Sequence, residues 1–363
     1  MPQEQALLSN TRPSFSVDGQ VQAALERDLV RLQLDEDLHG LMQLQVRFIA
    51  SGPRPGEAQE GLIWLDGRVI DFGKLLTVAI GAGAGQASLF GGKVSALELS
   101  MGDASDPELL CLAEDPLMDL RLTRRSRTYE NVTDADLVRA IAAEHGLQAQ
   151  ADLDGPTWPM VQQWNQSDLA FLRERTRRLA AEIWVANNTL HVASRDRRPG
   201  TQLTLIKGST LREVRLRADL AHQRSFVAVG GFDDTEQDAI DEQAGAEAMF
   251  SEAQGGLHGG TVLGLAFGER GSRRVLDVPL DDAQAKALAR AALQQRVRRF
   301  VTVSGVSSGH AELRVGSRLR LERVSPLFEG DGYYVTRTSH RYDAVGGYRT
   351  HFEAERAWIG ASL

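Results

Sequence analysis

Over most of the first 128 residues, apolar and polar positions alternate in short runs, the period of half-buried β-strands. Phe15 to Gln22 alternates around Asp18-Gly19, a hairpin signal. The same period returns at Val30, Leu32 and Leu34, and at Leu44, Val46 and Phe48. Further short strands are expected in "GLIWLDGRVIDFG" and on either side of the run "AIGAGAGQ". At Thr128 the period changes. Thr133, with Asp136 three residues on, reads as a helix cap, Leu137, Ile141 and Ala142 as the buried stripe, and Gly146 as the stop. Ser167 caps a second helix whose buried face is expected at Leu169, Leu172, Thr176 and Leu179. A hairpin follows, with Ile183 and Val185 on one arm, Leu190 and Val192 on the other, and Asn187-Asn188 at the turn.

The β period resumes at Thr201 and continues through "SFVAVGGF". A glycine-rich excursion occupies about 241–272, and an alanine-rich helix capped by Asp281 or Asp282 runs to about residue 299. The final segment is again strands, with Tyr348, Thr350, Phe352 and Ala354 alternating after a turn near Gly346-Gly347. These patterns predict an α+β, β-rich chain. A first β-barrel is expected from 1–128, a small helix–helix–hairpin module from 129–200, and a second, discontinuous β-barrel from 201–240 and 300–363. The glycine-rich excursion and connecting helix fill 241–299.

A faint repeat links the two barrel segments. "GKLLTV" (73–78) precedes "LFGGKV" (89–94), and "GSRLRL" (316–321) precedes "LFEGDGYYV" (327–335). Each copy has a glycine, apolar residues three and five positions later, a loop, and Leu-Phe opening a strand. The strands Leu89–Leu99 and Leu327–Arg337 are therefore expected to superpose.

At 363 residues, 42% hydrophobic and 25% charged, the chain has room for two or three ordinary cores. A formal net charge of −8 argues against nucleic acid as the main partner. The single cysteine, Cys111, forms no internal disulfide. The start lacks a basic segment followed by an apolar one, and no window approaches the ~20 apolar residues of a membrane helix. A cytoplasmically made protein without stable membrane insertion is expected.

Chemical motifs are weak. Gly81, Gly83 and Gly85 alternate as in a dinucleotide fingerprint, but strand-like sequence follows where a helix is required, and Gly92-Lys93 precedes Val94 rather than Ser or Thr. The run reads as a corner between strands. The eight histidines (His39, His145, His191, His222, His258, His310, His340 and His351) lack metal-ligand spacing and read as surface or locally bonded residues. The acidic run Phe232–Gln243 reads as a solvated loop, and no G-x-S-x-G elbow is present. Arginines bunch at Arg121, Arg124, Arg125 and Arg127 and at Arg173, Arg175, Arg177 and Arg178, read as solvated faces or salt bridges between subunits rather than a nucleic-acid surface. Trp158 and Trp164 read as loop residues before a helix, either local core or an interface anchor. No catalytic residue, cofactor or metal ligand is assigned.

Taken in order, "LFGGKVSALEL", "CLAEDPLMDLRLTRRSRTYENVTDADLVRAIAAEHGL", "QQWNQSDLAFLRERTRRLAAEIWVANNTLHVAS" and the closing "GSRLRLERVSPLFEGDGYYVTRTSHRYDAVGGYRTHFEAER" resemble the phage late control D family of tail hub proteins, and the hub part of VgrG-type proteins. The resemblance extends over about residues 15–358. It implies a homotrimer in a contractile tail, tailocin or extracellular injection particle, with two similar barrels per chain. It also implies an inner tube protein, a spike protein and baseplate proteins as partners. VgrG-type chains continue into a spike, whereas this one stops at Leu363, so a separate spike chain is expected. The rival expectations are a carbohydrate-active, peptidoglycan-cleaving enzyme and an oligomeric binding module belonging to no particle.

Overall fold

The computed structural model describes residues 11–53, 60–81, 86–252, 255–275 and 281–360. Its framework is a 13-stranded sheet that runs continuously through two barrel-like halves, each around its own apolar core.

The first half contains β1 (Pro13–Val17), β2 (Gln20–Val21), helix α1 (Ala23–Asp28), β3 (Leu29–Asp37), β4 (Gln43–Ile49), the short β5 (Ser51–Pro53) and β6 (Glu60–Leu62), β7 (Leu75–Ile80), β8 (Ala87–Gly102) and β9 (Ser105–Glu114). The spatial order is β2-β1-β7-β8-β9-β4-β3. Inward residues alternate as the sequence requires: Leu32 and Leu34 on β3, and Leu44, Val46 and Phe48 on β4, are all buried. The strand expected within "GLIWLDGRVIDFG" is confined to β6, after which Ile63, Trp64 and Ile70 enter the core from irregular backbone. Of the glycine run, residues 82–85 lie outside the described residues. Ile80 pairs with Ala87, so the run joins two antiparallel strands, and the 16-residue strand β8 follows it.

Between the halves lies a module of β10 (Arg124–Val132), α2 (Asp134–Glu144), β11 (Gln148–Asp152), β12 (Trp158–Ser167), α3 (Asp168–Arg178), β13 (Ala181–Ala186) and β14 (Thr189–Ser194). Thr133 and Asp136 form a full capping box on α2, and Ser167 caps α3. Asn187 and Asn188 both adopt positive φ, the backbone a two-residue hairpin turn needs. Three features differ from expectation. The tryptophan segment is a strand paired with β10, β11 runs parallel to β14, and Leu179 sits half-buried at the C-cap of α3.

The second half begins with β15 (Gln202–Ile206) and β16 (Leu211–Ala218). The chain then leaves the main sheet through β17 (Phe226–Asp233), β18 (Asp238–Ala244), α4 (Ala246–Phe250), β19 (Leu257–His258), α5 (Gly259–Phe267), β20 (Gly271–Val275) and α6 (Asp282–Arg298), the last capped by Asp281. It returns with β21 (Val301–Ser308), β22 (Arg318–Glu322), β23 (Gly330–Asp343), β24 (Gly347–Arg356) and β25 (Trp358–Ile359). "SFVAVGGF", read from sequence as part of the second barrel, forms β17 of a separate three-stranded sheet packed on α6. In the second half the strands follow the order β16-β21-β24-β23-β22-β15, and a single bridge between Lys207 and Leu211 spans the turn from β15 to β16.

The two halves repeat at the level of individual backbone bonds. Gly73 N–H donates to Val94 O (2.9 Å) and Val94 N–H to Lys74 O (3.0 Å); Gly316 N–H donates to Val335 O (3.0 Å) and Val335 N–H to Ser317 O (2.9 Å). Leu75 pairs with Lys93 as Arg318 pairs with Tyr334. Val94 opposes Ala113 as Val335 opposes Ala354, and in both ladders the register shifts immediately afterwards, at Ala96 and at Arg337. The shift between Leu29 and Arg31 in β3–β4 returns between Leu211 and Glu213 in β16–β21. Hence β3, β4, β7, β8 and β9 correspond to β16, β21, β22, β23 and β24. The copies align on glycine and valine but not on Leu-Phe, because Leu89-Phe90 lie within β8 while Leu327-Phe328 lie in the loop before β23.

Gly73 (φ +77°) and Gly316 (φ +95°) open their repeats in the left-handed region. A Cβ on Gly73 would meet nothing within 4 Å, whereas on Gly316 it would lie 2.9 Å from Arg198 Nε. Arg198 is held by Glu182 (3.1 Å) and Glu36 (3.4 Å) and has little freedom to retreat. Gly73→Ala is expected to cost about 1–2 kcal/mol from backbone strain alone, and Gly316→Ala more; equilibrium urea unfolding of the two variants checks the order.

Candidate assembly interface

Strand β3 pairs with β23 from Arg337↔Asp37 to Asp343↔Arg31, so the halves share a ladder. Beside this ladder runs a buried polar seam built by all three bodies. β3 supplies Glu36, β13 supplies Glu182, and β23 and β24 supply Tyr334 and Glu355. The segment after β14 supplies Arg195 and Arg198. Arg195 binds Glu355 at 2.6 Å and Glu182 at 3.3 Å, while Tyr334 Oη donates to Glu182 at 2.6 Å. Arg198 joins Glu182 to Glu36, and its guanidinium lies over the Trp184 ring at 4.4 Å. Arg195 likewise lies over Tyr334 at 4.1 Å. Burial acts to discharge Arg195, yet Glu355 and Glu182 hold its pKa above the ordinary arginine value. Burial and the adjacent Glu182 push the Tyr334 phenol up.

The same logic pins the small module. Asp134 receives Arg175 Nε (2.6 Å) and Trp158 Nε1 (2.8 Å), and Asp168 receives Gln163 (2.8 Å) and lies 2.8 Å from His145 Nε2. Arg127, together with Arg125, holds the Glu144 carboxyl down at about 2. The arginine bunches are thus largely engaged in ion pairs. Of the two tryptophans, Trp158 is core and Trp164, 74% exposed, is not.

The histidines are not all peripheral. His310, in the loop after β21, and His340, on β23, are buried where the second half packs on the core of the first, and His340 Nδ1 lies 2.8 Å from Tyr348 Oη. Burial, then Arg314 and His310, push His340 well below its ordinary value; burial also lowers His310, against Glu312. Thirty residues of sequence separate the two rings, which is why spacing did not reveal the pair.

The largest described cavity, about 1490 Å³, is an open basin whose lining includes Arg173, Arg177, Arg215, Arg217, Arg296 and Arg299. Four of its carboxylates are tied to arginines: Glu182, Glu355, Glu174 to Arg178, and Glu353 to Arg337. Burial pushes Asp115 up to about 7, but its oxygens accept the backbone N–H groups of Met42 and Leu117 and it caps a 3₁₀ turn (Pro116–Arg121). It faces the protein, not the basin.

Two of the strand edges without a ladder partner among the described residues lie in the main sheet, one in each half. β8 pairs with β7 only through Lys93, and beyond that point has β9 alone. β16 has β21 alone apart from the bridge at Leu211. Unpaired edges of this length are templates for another chain.

Comparison with known proteins bears on the fold. A family model described as the Alg8 N-terminal domain matches residues 65–343, and the chain belongs to that family. No curated protein matches it. The 43 kDa tail protein of prophage MuSo2 from Shewanella oneidensis is similar with a TM-score of 0.69 at 12% identity, covering 96% of this chain and 98% of that one. The tail protein from Neisseria meningitidis MC58 gives 0.66 at 12%, covering 96% and 97%. An E. coli component of the type VI secretion system, described as structurally similar to the T4 tail proteins gp27 and gp5, gives 0.57 at 12%, covering 96% and 79%. The fold is the fold of these tail proteins.

Glu182→Ala would leave the Tyr334 hydroxyl without its acceptor and remove one of two carboxylates from each of Arg195 and Arg198, which keep Glu355 and Glu36, and is expected to cost about 2–3 kcal/mol. Asp119→Ala, which breaks the exposed pair with Lys93 (2.9 Å), should cost about 1 kcal/mol or less; thermal unfolding in parallel checks both. The histidine pair gives a pH dependence of definite sign. Its folded pKa values lie below the unfolded value near 6.5, so the neutral rings favour the fold above that pH. Stability then declines as pH falls below about 6.5, by up to about 1.4 kcal/mol per unit for each ring. Asp115, raised in the fold, acts oppositely between about 7 and 4. His340→Gln should therefore show a shallower loss of stability than the unsubstituted protein between pH 6.5 and 5, measured by denaturant midpoints.

Proposed function

We propose that this member of the Alg8 N-terminal domain family is a structural hub of a contractile tail or tail-like injection particle. It acts as a homotrimer that joins a six-fold inner tube to a three-fold spike. It performs this role without catalysis, as one component of a baseplate, resembling the late control D and VgrG-type hubs in arrangement.

The observation that carries the reading is the duplication. One chain holds two copies of a five-strand unit that share two register shifts, after Val94 and Val335 and after Leu29 and Leu211. Three such chains in a closed ring present six near-equivalent units upward while keeping three-fold symmetry below. A single-copy protein would meet a six-fold tube with a mismatch at every second position. The fold shared with phage tail proteins supports the same assignment. The charged groups of the seam are engaged in buried arginine–carboxylate pairs that hold the module to both halves, an arrangement suited to a rigid part.

Native mass spectrometry of the purified protein should give a trimer, and co-expression with tube and spike chains from the same gene cluster should yield a ternary complex. A monomer that binds neither chain and cleaves peptidoglycan would overturn the reading.

A further inference from the structure

The repeat assigns a partner to the unpaired edges of β8 and β16. Within one chain β3 adds to the edge of β23, from Arg337↔Asp37 to Asp343↔Arg31, just beyond the stretch where β22 holds the same edge. In the other copy β23 is replaced by β8 and β3 by β16. β7 holds the first part of the β8 edge, and the stretch Ala96–Gly102 beyond it has no partner there. β16 lacks a partner on the corresponding side. We propose that these two edges meet between two copies of this chain: β16 of one adds antiparallel to Ala96–Gly102 of the next, reproducing the β3–β23 pair. The proposal rests on the ring reading above and specifies its contact.

Transferring the internal register fixes the pairs. Val335 corresponds to Val94 and Leu211 to Leu29, so up to the irregularity of β8 after Ser100 Leu99 falls opposite Leu216 and Leu97 opposite Ala218. On the other face Glu98 meets Arg217 and Ser100 meets Arg215. The side-chain chemistry was not used to obtain this register, yet it agrees with it: apolar residues face apolar ones, and the acid faces a base. A slip of one residue would set Leu99 against Arg215 or Arg217, exchanging the two faces. The exposure pattern agrees as well. In the isolated chain Leu97, Leu99, Val214 and Leu216 are only partly buried. Their internal counterparts Leu32, Leu34 and His340, covered by the β3–β23 pair, are buried. Arg217 is exposed, with Asp219 at 2.5 Å as its partner within the chain. Edge addition by a second copy also removes the two long edges that would otherwise template uncontrolled aggregation.

The test uses the full chain. Its single cysteine, Cys111, is buried, and burial pushes its thiol up to about 12, so it does not compete in oxidation. A chain carrying both Glu98→Cys and Arg217→Cys should oxidise to covalent dimers and closed trimers on non-reducing gels. Pairing Glu98→Cys with Leu216→Cys, one residue out of register, should give at least tenfold less. Separately, Arg217→Glu should weaken assembly and the added Glu98→Arg should restore it, a recovery that general misfolding would not give. A trimer by mass that cross-links only in another register overturns the strand pairing but leaves the hub reading intact. A chain that stays monomeric overturns both.

Discussion

The antiparallel pair of β3 with β23 decides how the two halves of this chain stand to each other. Domains joined only by a linker choose their own relative orientation. Here a backbone ladder from Asp37 to Arg31 fixes rotation and translation together. The buried chain of Glu36, Arg198, Glu182, Arg195 and Glu355 then fastens the small module to both halves at the flank of that ladder. A buried ion pair contributes little net stability over an apolar one, but removing one partner is severe. Such a joint therefore favours one geometry over neighbouring ones rather than adding strength. A part that must offer two units at a fixed spacing has this requirement.

The copies differ where the chain had freedom to differ. β1 runs antiparallel to β7, while β15 runs parallel to β22, so the opening strand of each half is not equivalent. In the first half, α1 with its buried Leu25 stands between β2 and β3 in the chain; in the second, a short turn with one bridge, Lys207 to Leu211, joins β15 to β16. The connection from β3 to β4 spans only Leu38–Met42, whereas the equivalent connection from β16 to β21 accommodates the whole excursion with its own sheet and α6. Insertions accumulate at surface connections because the ladders on either side are not disturbed. The five paired strands had no such latitude, since a register shift would turn their core residues outward.

Local physics explains what the sequence disclosed. Caps at Thr133, Ser167 and Asp281, the Asn187-Asn188 turn and the alternation on β3, β4 and β24 are each decided by residues within a few positions. The repeat was visible because a left-handed glycine followed by two inward apolar residues leaves a trace at fixed spacing. What stayed hidden depended on distant partners. The segment around Trp158 and Trp164 contains Pro159 and reads as loop until β10 is placed beside it. "SFVAVGGF" is an apolar run that either sheet could use, and β18 with β20 decides the matter. The seam and the His310–His340 pair draw on residues tens to hundreds of positions apart, for which no local spacing exists.

Two of the register shifts are alike in the two halves although the side chains around them are not. A shift leaves one residue without its opposite number and twists the strand more tightly. Preserving a core requires buried residues of suitable size, and the inward rows of the halves differ freely: Cys111 stands where the other copy has Phe352, and Leu99 where it has His340. The shifts after Val94 and Val335, and after Leu29 and Leu211, do not differ. They set how far each edge is rotated at the point where the next strand adds. The backbone at these edges therefore follows the repeat more closely than the side chains packed behind it.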